Sequence, residues 1–280
     1  MFFYFQTKYL QITEYNVSSA KIPEELSGFK ILQLSDLHSK QFGENNEFLI
    51  KGIEELNPDI IVATGDMLNS TNDDGKVFYD LAKYLVKHFK IYYIKGNHEQ
   101  IAEFKAREVD SHWFDAYMGE LEDLGVVVLN NDKAEITHKN ATINLYGLDI
   151  SLRLYRGEYT ATYDGEKSIE VSNIEKALGA CEDGKYNILL THNPAYFSVY
   201  SAWGADLILA GHVHGGAVRI PFIGGLLSPE RSFFPKYDAG KYELNKSKMI
   251  VSRGLGESTI KLRVFNPPEI IMITLVSETE

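Results

Sequence analysis

Along the chain, short runs of apolar residues break off into the same few kinds of polar residue. Phe29-Lys30-Ile31-Leu32-Gln33-Leu34 leads into Ser35-Asp36-Leu37-His38, and Ile60-Ile61-Val62-Ala63 into Thr64-Gly65-Asp66. Ile91-Tyr92-Tyr93-Ile94 is followed by Lys95-Gly96-Asn97-His98, and Asn187-Ile188-Leu189-Leu190 by Thr191-His192-Asn193-Pro194. Leu207-Ile208-Leu209-Ala210 is followed by Gly211-His212-Val213-His214-Gly215-Gly216. Runs this short and this continuously apolar predict strands buried on both faces. Helical periods lie between such runs. Leu49, Ile53 and Leu56 share a face over 48–56 before Pro58 stops it. Val77, Leu81, Leu85 and Phe89 do the same over 77–89, behind Asp73 and Asp74 as capping candidates. A third period over 113–124 meets Gly125 as a stop. Strands alternating with helices predict an α/β sheet. The stretches 126–129, 134–138, 142–146, 241–244, 248–252 and 269–276 read as strands joined mostly by turns. They predict a second, mostly antiparallel sheet packed against the first.

Composition narrows the class. The 280 residues are 44% hydrophobic and 24% charged, which is ordinary globular usage and long enough for a large core. No internal repeat, low-complexity tract or linker divides the chain, so 1–280 is expected to be a single domain, with its motifs within about 21–276. Cys181 is the only cysteine, which excludes an intramolecular disulfide framework and a thiolate-rich metal site. Twenty-eight basic against 39 acidic residues give a net charge of −11, which disfavours a nucleic-acid polymer or an anionic membrane as a broad partner. A polyanionic substrate then needs local positive charge, most simply from metal ions. No run approaches the roughly 20 apolar residues of a membrane span. The opening Met1-Phe2-Phe3-Tyr4-Phe5 is too short for a signal-peptide core and carries no basic leader. A cytoplasmic protein is expected, with peripheral membrane contact as the other option.

The ends of the five runs carry Asp36, His38, Asp66, Asn97, His98, His192, His212 and His214. In open α/β sheets the carboxyl edge of the strands is where ligands bind. Any one of these residues alone reads as a turn or cap residue; the same placement five times over does not. Imidazoles mixed with carboxylate and carboxamide oxygens, without thiolate, suit manganese, iron, zinc or cobalt. Leaving His98 aside, seven ligand-type residues are too many for one tetrahedral ion and suit two divalent transition-metal ions sharing a carboxylate.

Taken in order, Asp36-x-His38, Gly65-Asp66, Gly96-Asn97-His98-Glu99, a lone His192 and Gly211-His212-x-His214 resemble the calcineurin-like metallophosphoesterase superfamily. The continuation through Arg219-Ile220-Pro221, and Val251-Ser252-Arg253-Gly254-Leu255-Gly256, is similar to a bacterial branch of YkuE-like and YaeI-like phosphoesterases. The resemblance implies a four-layer α/β/β/α sandwich of mixed sheets with two metals at the carboxyl edges of its strands. It implies one metal on Asp36, His38, Asp66 and His214. The other falls to Asp66, Asn97, His192 and His212, with Asp66 bridging and manganese the first expectation. His98 matches the family's catalytic histidine, placed near the phosphoryl group rather than on a metal, and Glu99 stands where many relatives have Asp. The reaction implied is hydrolysis of a phosphodiester, phosphomonoester or pyrophosphate bond by a hydroxide bridging the metals. His98 would assist the leaving group and Asp66 would count as catalytic through its bridge.

Arg219 and Arg253 lie in the branch-like segments and are expected either to contact substrate or to form structural ion pairs; Arg153 and Arg156 read as solvated charges. The segment 219–237, with Phe222, Phe233 and Phe234 among its apolar residues, has no sustained period. It reads as a loop that packs onto the neighbouring sheet, or as a wall for an apolar part of a lipid-like phosphate ester, with Phe222 a candidate contact. His112 and Trp113 read as helix start and core, and Cys181 as an incidental thiol. A metal-free scaffold on the same fold is the rival class, yet it would be expected to show gaps among the ligand positions, and none is missing. An amidohydrolase fits the Asn97-His98-Glu99 triplet less well. Pyrophosphatase action on a lipid-linked nucleotide-sugar precursor is the alternative within the phosphoesterase class.

Overall fold

The computed structural model describes residues 10–155, 168–216, 218–220, 224–226, 233–257 and 263–278. The first three apolar runs form β2 (Lys30–Leu34), β3 (Ile60–Ala63) and β4 (Lys90–Tyr93), all parallel, with Ile31 beside Ile60 and Ile60 beside Lys90. β5 (Val127–Val128) extends this set in parallel. On the other side β14 (Glu269–Ser277) runs antiparallel to β2 and parallel to β1 (Gln11–Ser19), giving the order β1-β14-β2-β3-β4-β5.

The last two runs build a second sheet. β8 (Asn187–Thr191) and β9 (Leu207–Ala210) lie between β7 (Ala141–Leu148) and β13 (Ser247–Val251), all four parallel. β6 (Asp132–His138) and β12 (Gly240–Leu244) close the edges antiparallel, while the short β10 (Arg219–Ile220) and β11 (Gly224–Gly225) pair antiparallel with each other apart from both sheets. The expected second, mostly antiparallel sheet is thereby corrected. The motif runs split three and two between two mixed sheets, and the stretches near 127 and 270 join the first. Burial explains it: Ile188, Leu190, Leu207 and Leu209 face one core while Leu189 and Ile208 face another. Strands covered on both faces occupy central, parallel positions.

Alternation along the strands sorts the side chains into layers. Leu32, Leu34, Ile61, Ala63, Ile91 and Tyr93 pack against α1 (Glu47–Leu56), α2 (Lys76–Leu85), α3 (Asn97–Glu108) and α4 (Trp113–Asp123). Ile31, Val62 and Tyr92, on the opposite face, meet Ile143, Leu145, Ile188 and Leu209 of the second sheet. Leu189, Ile208, Met249 and Val251 turn outward onto α5 (Val171–Leu178) and α6 (Phe197–Trp203). The product is a four-layer α/β/β/α sandwich. Among the described residues no helix is long and apolar enough to cross a membrane.

One polar residue interrupts the apolar run of β2. Gln33, fully buried, donates from Nε2 to Thr64 Oγ1 at 3.1 Å and to the Ala210 carbonyl at 2.9 Å. Thr64 follows β3 and Ala210 ends β9, so this amide ties the carboxyl ends of the two sheets together. The loops of all five runs converge beside it.

Candidate metal centre

The ligand-type residues leave their strands through unusual backbone. Asp36, His38, Asp66, His212 and His214 all have positive φ, between 47° and 71°. Left-handed backbone costs a non-glycine residue on the order of 1–3 kcal/mol, and such strain collects where side chains must be aimed. Gly65, at φ 91°, leaves no room for a side chain. A Cβ there would stand 2.6 Å from the Gly96 nitrogen and 2.7 Å from His192 Nδ1.

The side chains so aimed converge in two sets. His38 Nε2 lies 3.1 Å from His214 Nε2 and 3.7 Å from Asp66 Oδ2, and His214 Nε2 lies 3.2 Å from Asp36 Oδ1. His192 Nε2 lies 3.1 Å from Asp66 Oδ2 and 3.8 Å from Asp36 Oδ1. One ligand atom from each of Asp36, His38, Asp66 and His214 falls within 4.8 Å of the others, and the same holds for Asp66, His192 and His212. Asp66 belongs to both sets, and all of these residues are buried. Asn97 opens α3 between Gly96 and His98; its Oδ1 is buried without a hydrogen-bond partner.

This donor set fits metal ions. Two facing Nε2 atoms can share one proton in a hydrogen bond, and the same two lone pairs can converge on a cation. Nitrogens bound to one ion at about 2.0–2.1 Å and near a right angle stand about 3 Å apart, as His38 and His214 do. The protonation states agree. Burial, then His98 and His214, push the His38 imidazole down to about 3, and burial also lowers His214. Burial acts to raise Asp36 and Asp66, but His214 beside the first and His192 beside the second hold both well below the usual carboxylate range. Ionised carboxylates and neutral imidazoles are what metal binding requires. His192 differs: burial opposes its charge, but Asp66, and then Asp36, push it up to about 10. Its Nδ1 donates to the Thr64 carbonyl at 2.6 Å, which directs Nε2 at the carboxylates, a common way of orienting a ligating imidazole.

His98 lies edge-on to His38, with ring centroids 4.6 Å apart. The amide of Ser70 donates to His98 Nδ1 at 3.1 Å, so the neutral ring carries its proton on Nε2. The backbone N–H of His98 donates to Asp66 Oδ1 at 2.8 Å.

Three further residues shape the centre beyond what sequence reasoning assigned. Glu99, fully buried, accepts from the amides of Gly96 (2.8 Å), Asp66 (2.8 Å), Met67 (2.7 Å) and Leu68 (3.3 Å). It clasps the turn after β3 against the start of α3. Its spacing from Gly96 is a capping-box signature, the one local signal for this role. Arg263, buried, donates to the carbonyls of Arg253 (2.9 Å), Gly254 (3.1 Å), Gly256 (3.0 Å from Nε) and Asn266 (3.4 Å), with Nη2 3.5 Å from His214 Nδ1. It makes no carboxylate ion pair among the described residues, and burial lowers its guanidinium to about 10. Tyr155, also buried, sets its ring 4.9 Å from that of His212. Neither has a local sequence signal.

The candidate substrate residues are placed differently. Arg219 pairs with Asp238 at 3.0 Å and donates to the Gly215 carbonyl at 2.9 Å. Arg253 donates to Gln11 Oε1 at 3.1 Å, and its Nε lies 3.6 Å from Glu269. Phe222 and Arg156 lie outside the described residues. Phe233 and Phe234 are 71% and 57% exposed.

Residues 29–216 match the family described as Calcineurin-like phosphoesterase. Metallophosphoesterase YkuE of Bacillus subtilis is 28% identical over 98% of this chain and 88% of its own length. Metallophosphoesterase Cj0846 of Campylobacter jejuni is 29% identical over 95% of this chain, which spans 64% of that longer protein. Phosphodiesterase YaeI of Escherichia coli is 28% identical over 89% of this chain and 82% of its own length. The family match runs from the start of β2 to the glycines after His214, and so takes in both ligand sets; the chain belongs to the calcineurin-like phosphoesterase family and is a hydrolase.

Proposed function

We propose that the chain hydrolyses phosphodiesters with two divalent transition-metal ions. Asp36, His38, Asp66 and His214 would hold one, and Asp66, Asn97, His192 and His212 the other. The observation that carries this reading is the pair of buried clusters sharing Asp66. Ions held there would supply positive charge toward phosphoryl oxygens and lower the pKa of a water toward neutrality. The chain's own residues supply position and proton. Asp66 spans both sets, and the amide of His98 and the carboxylate of Glu99 hold its side chain and its backbone respectively. His98 offers Nε2–H to a phosphoryl or leaving-group oxygen. Manganese is the first candidate for the metal, with iron, zinc and cobalt suiting the same donors. The similarity to YaeI, a phosphodiesterase by name, favours a diester over a monoester or pyrophosphate.

The test is hydrolysis of bis(p-nitrophenyl) phosphate, p-nitrophenyl phosphate and a dinucleoside pyrophosphate by manganese-supplemented protein. Diester hydrolysis that a chelator abolishes and manganese restores is expected. No hydrolysis by metal-replete protein, or activity indifferent to chelation, would overturn the reading.

A further inference from the structure

The ligands proposed for the second ion come from both sheets, so neither sheet alone sets their separation. Asn97 opens α3, after β4 of the first sheet, whereas His192 and His212 follow β8 and β9 of the second. α3 is weakly anchored by apolar packing, its buried apolar residues being Ile101, Ala102 and Ala106. A largely buried polar cluster joins it to the second sheet instead. Lys95 Nζ lies 2.8 Å from Glu103 Oε2 on α3 and 3.2 Å from Asp149 Oδ2, with 9% of the lysine side chain exposed. Gln100 Nε2 donates to Asp149 Oδ1 and, at 2.8 Å, to the Ile150 carbonyl. Strand register puts this cluster level with the ligands. Leu148 of β7 sits beside Thr191 of β8, so Asp149 and His192 leave neighbouring strands side by side. Tyr93 of β4 sits beside Ala63 of β3, so Lys95 stands level with Gly65, one residue before Asp66. Lys95 and Asp149 thus bridge the sheets on the β4–β7 side, as Gln33 and Ala210 do on the β2–β9 side.

We propose that Lys95, Gln100 and Asp149 are positioning residues that set the start of α3 against the second sheet, and so aim Asn97 at the ion it shares with His192 and His212. The inference rests on the two-ion reading above and deepens it. Buried ion pairs add little net stability, because desolvation offsets most of their attraction. What a satisfied polar network fixes is direction and register. Gln100 stands three residues after Asn97, on the adjoining helical turn, so a shift of α3 relative to Asp149 carries the Asn97 carboxamide with it. The ion on Asp36, His38, Asp66 and His214 takes no ligand from α3, and the same shift should spare it.

Calorimetric titration of manganese into metal-free protein reads the two ions, and Asn97→Ala marks the one that depends on α3. Lys95→Met combined with Asp149→Leu replaces the ion pair by apolar side chains and leaves Glu103 paired with Arg107, so the variant is expected to melt near the parent. It should weaken the Asn97-dependent ion about 10–100-fold, the usual effect of losing a residue that orients a ligand, and leave the other within about threefold. Added to Asn97→Ala, the same pair of substitutions should weaken that ion no further, because it acts through Asn97. Gln100→Ala breaks the contact of α3 with Asp149 while keeping the ion pair; it carries the same expectations should the double variant fail to fold. Unchanged binding, equal weakening of both ions, or a loss that adds to that of Asn97→Ala would overturn the positioning role. A parent chain that takes up fewer than two ions would overturn the two-ion reading and this inference with it. Failure to hydrolyse any ester would count against the phosphoesterase reading alone, since metal uptake needs no substrate.

Discussion

A carboxylate that faces two clusters needs support of its own, and Asp66 receives it from the amide of His98 and, through its backbone, from Glu99. Glu99→Ala leaves four amide donors without their acceptor, so a loss of about 2–5 kcal/mol in stability and a fall in bound metal are expected. Glu99→Gln keeps an accepting oxygen and should recover part of both. Thermal unfolding with metal analysis on the two variants checks this, and an alanine variant as stable and as loaded as the parent would contradict it. His98 should behave differently. His98→Ala is expected to retain the metals yet slow turnover about 10²–10⁴-fold for leaving groups that need a proton, with p-nitrophenolate esters suffering less. Equal losses on good and poor leaving groups would remove His98 from the acid role. His192 sets a pH dependence. Its imidazole, raised from 6.5 to about 10, keeps a proton at neutral pH in metal-free protein. That proton stabilises the metal-free fold fully below about 6.5 and progressively less as pH rises toward 10. A metal must displace it, so affinity should rise with pH through neutrality and loading at pH 7 should release at least about one proton per chain, the His192 proton adding to any lost by a metal-bound water. Calorimetry in two buffers of different ionisation heat counts that proton, and finding none would contradict the pairing with Asp66.

At the scale of elements, the loops after the strands carry the chemistry and the buried polar side chains set their relation. Arg263 gathers the carbonyls of Arg253, Gly254 and Gly256 beneath His214. Arg263→Met should cost about 1–3 kcal/mol through those unpaired acceptors and weaken the ion on His214. Arg263→Lys should rescue little, since an ammonium cannot reproduce the planar fork. Melting temperature and metal titration of the two variants decide, and full rescue by lysine would contradict a role for the fork. Such residues were illegible beforehand because their partners are distant in sequence. Gln33 looked like one polar interruption of an apolar run, and only the arrival of Ala210 from β9 gives it a role. Helices α1, α2 and α4 were legible because each carries a broad apolar stripe. α3 was not, since it buries only Glu99, Ile101, Ala102 and Ala106 and its other positions are largely charged or polar.

For the whole molecule, the meeting of the five loops was readable and the division of the sheets was not. Asp, Asn and His recur after five apolar runs, and residue type with position suffices to predict that they meet. The runs themselves look alike, so nothing local distinguishes β2, β3 and β4 of one sheet from β8 and β9 of the other. The distinction lies in what covers each face, a property of the assembled layers. The division matters for the centre: Asp36, His38, Asp66 and Asn97 come from loops of the first sheet, and His192, His212 and His214 from loops of the second. A two-ion site at this junction would join the sheets, so metal loading should raise the melting temperature as well as the activity. Elemental analysis of protein expressed in metal-supplemented medium tests this most directly. About two transition-metal ions per chain are predicted, with both ions and activity lost in Asp66→Ala. Full phosphodiesterase activity in protein carrying at most one ion per chain would contradict the shared Asp66 as the heart of the site.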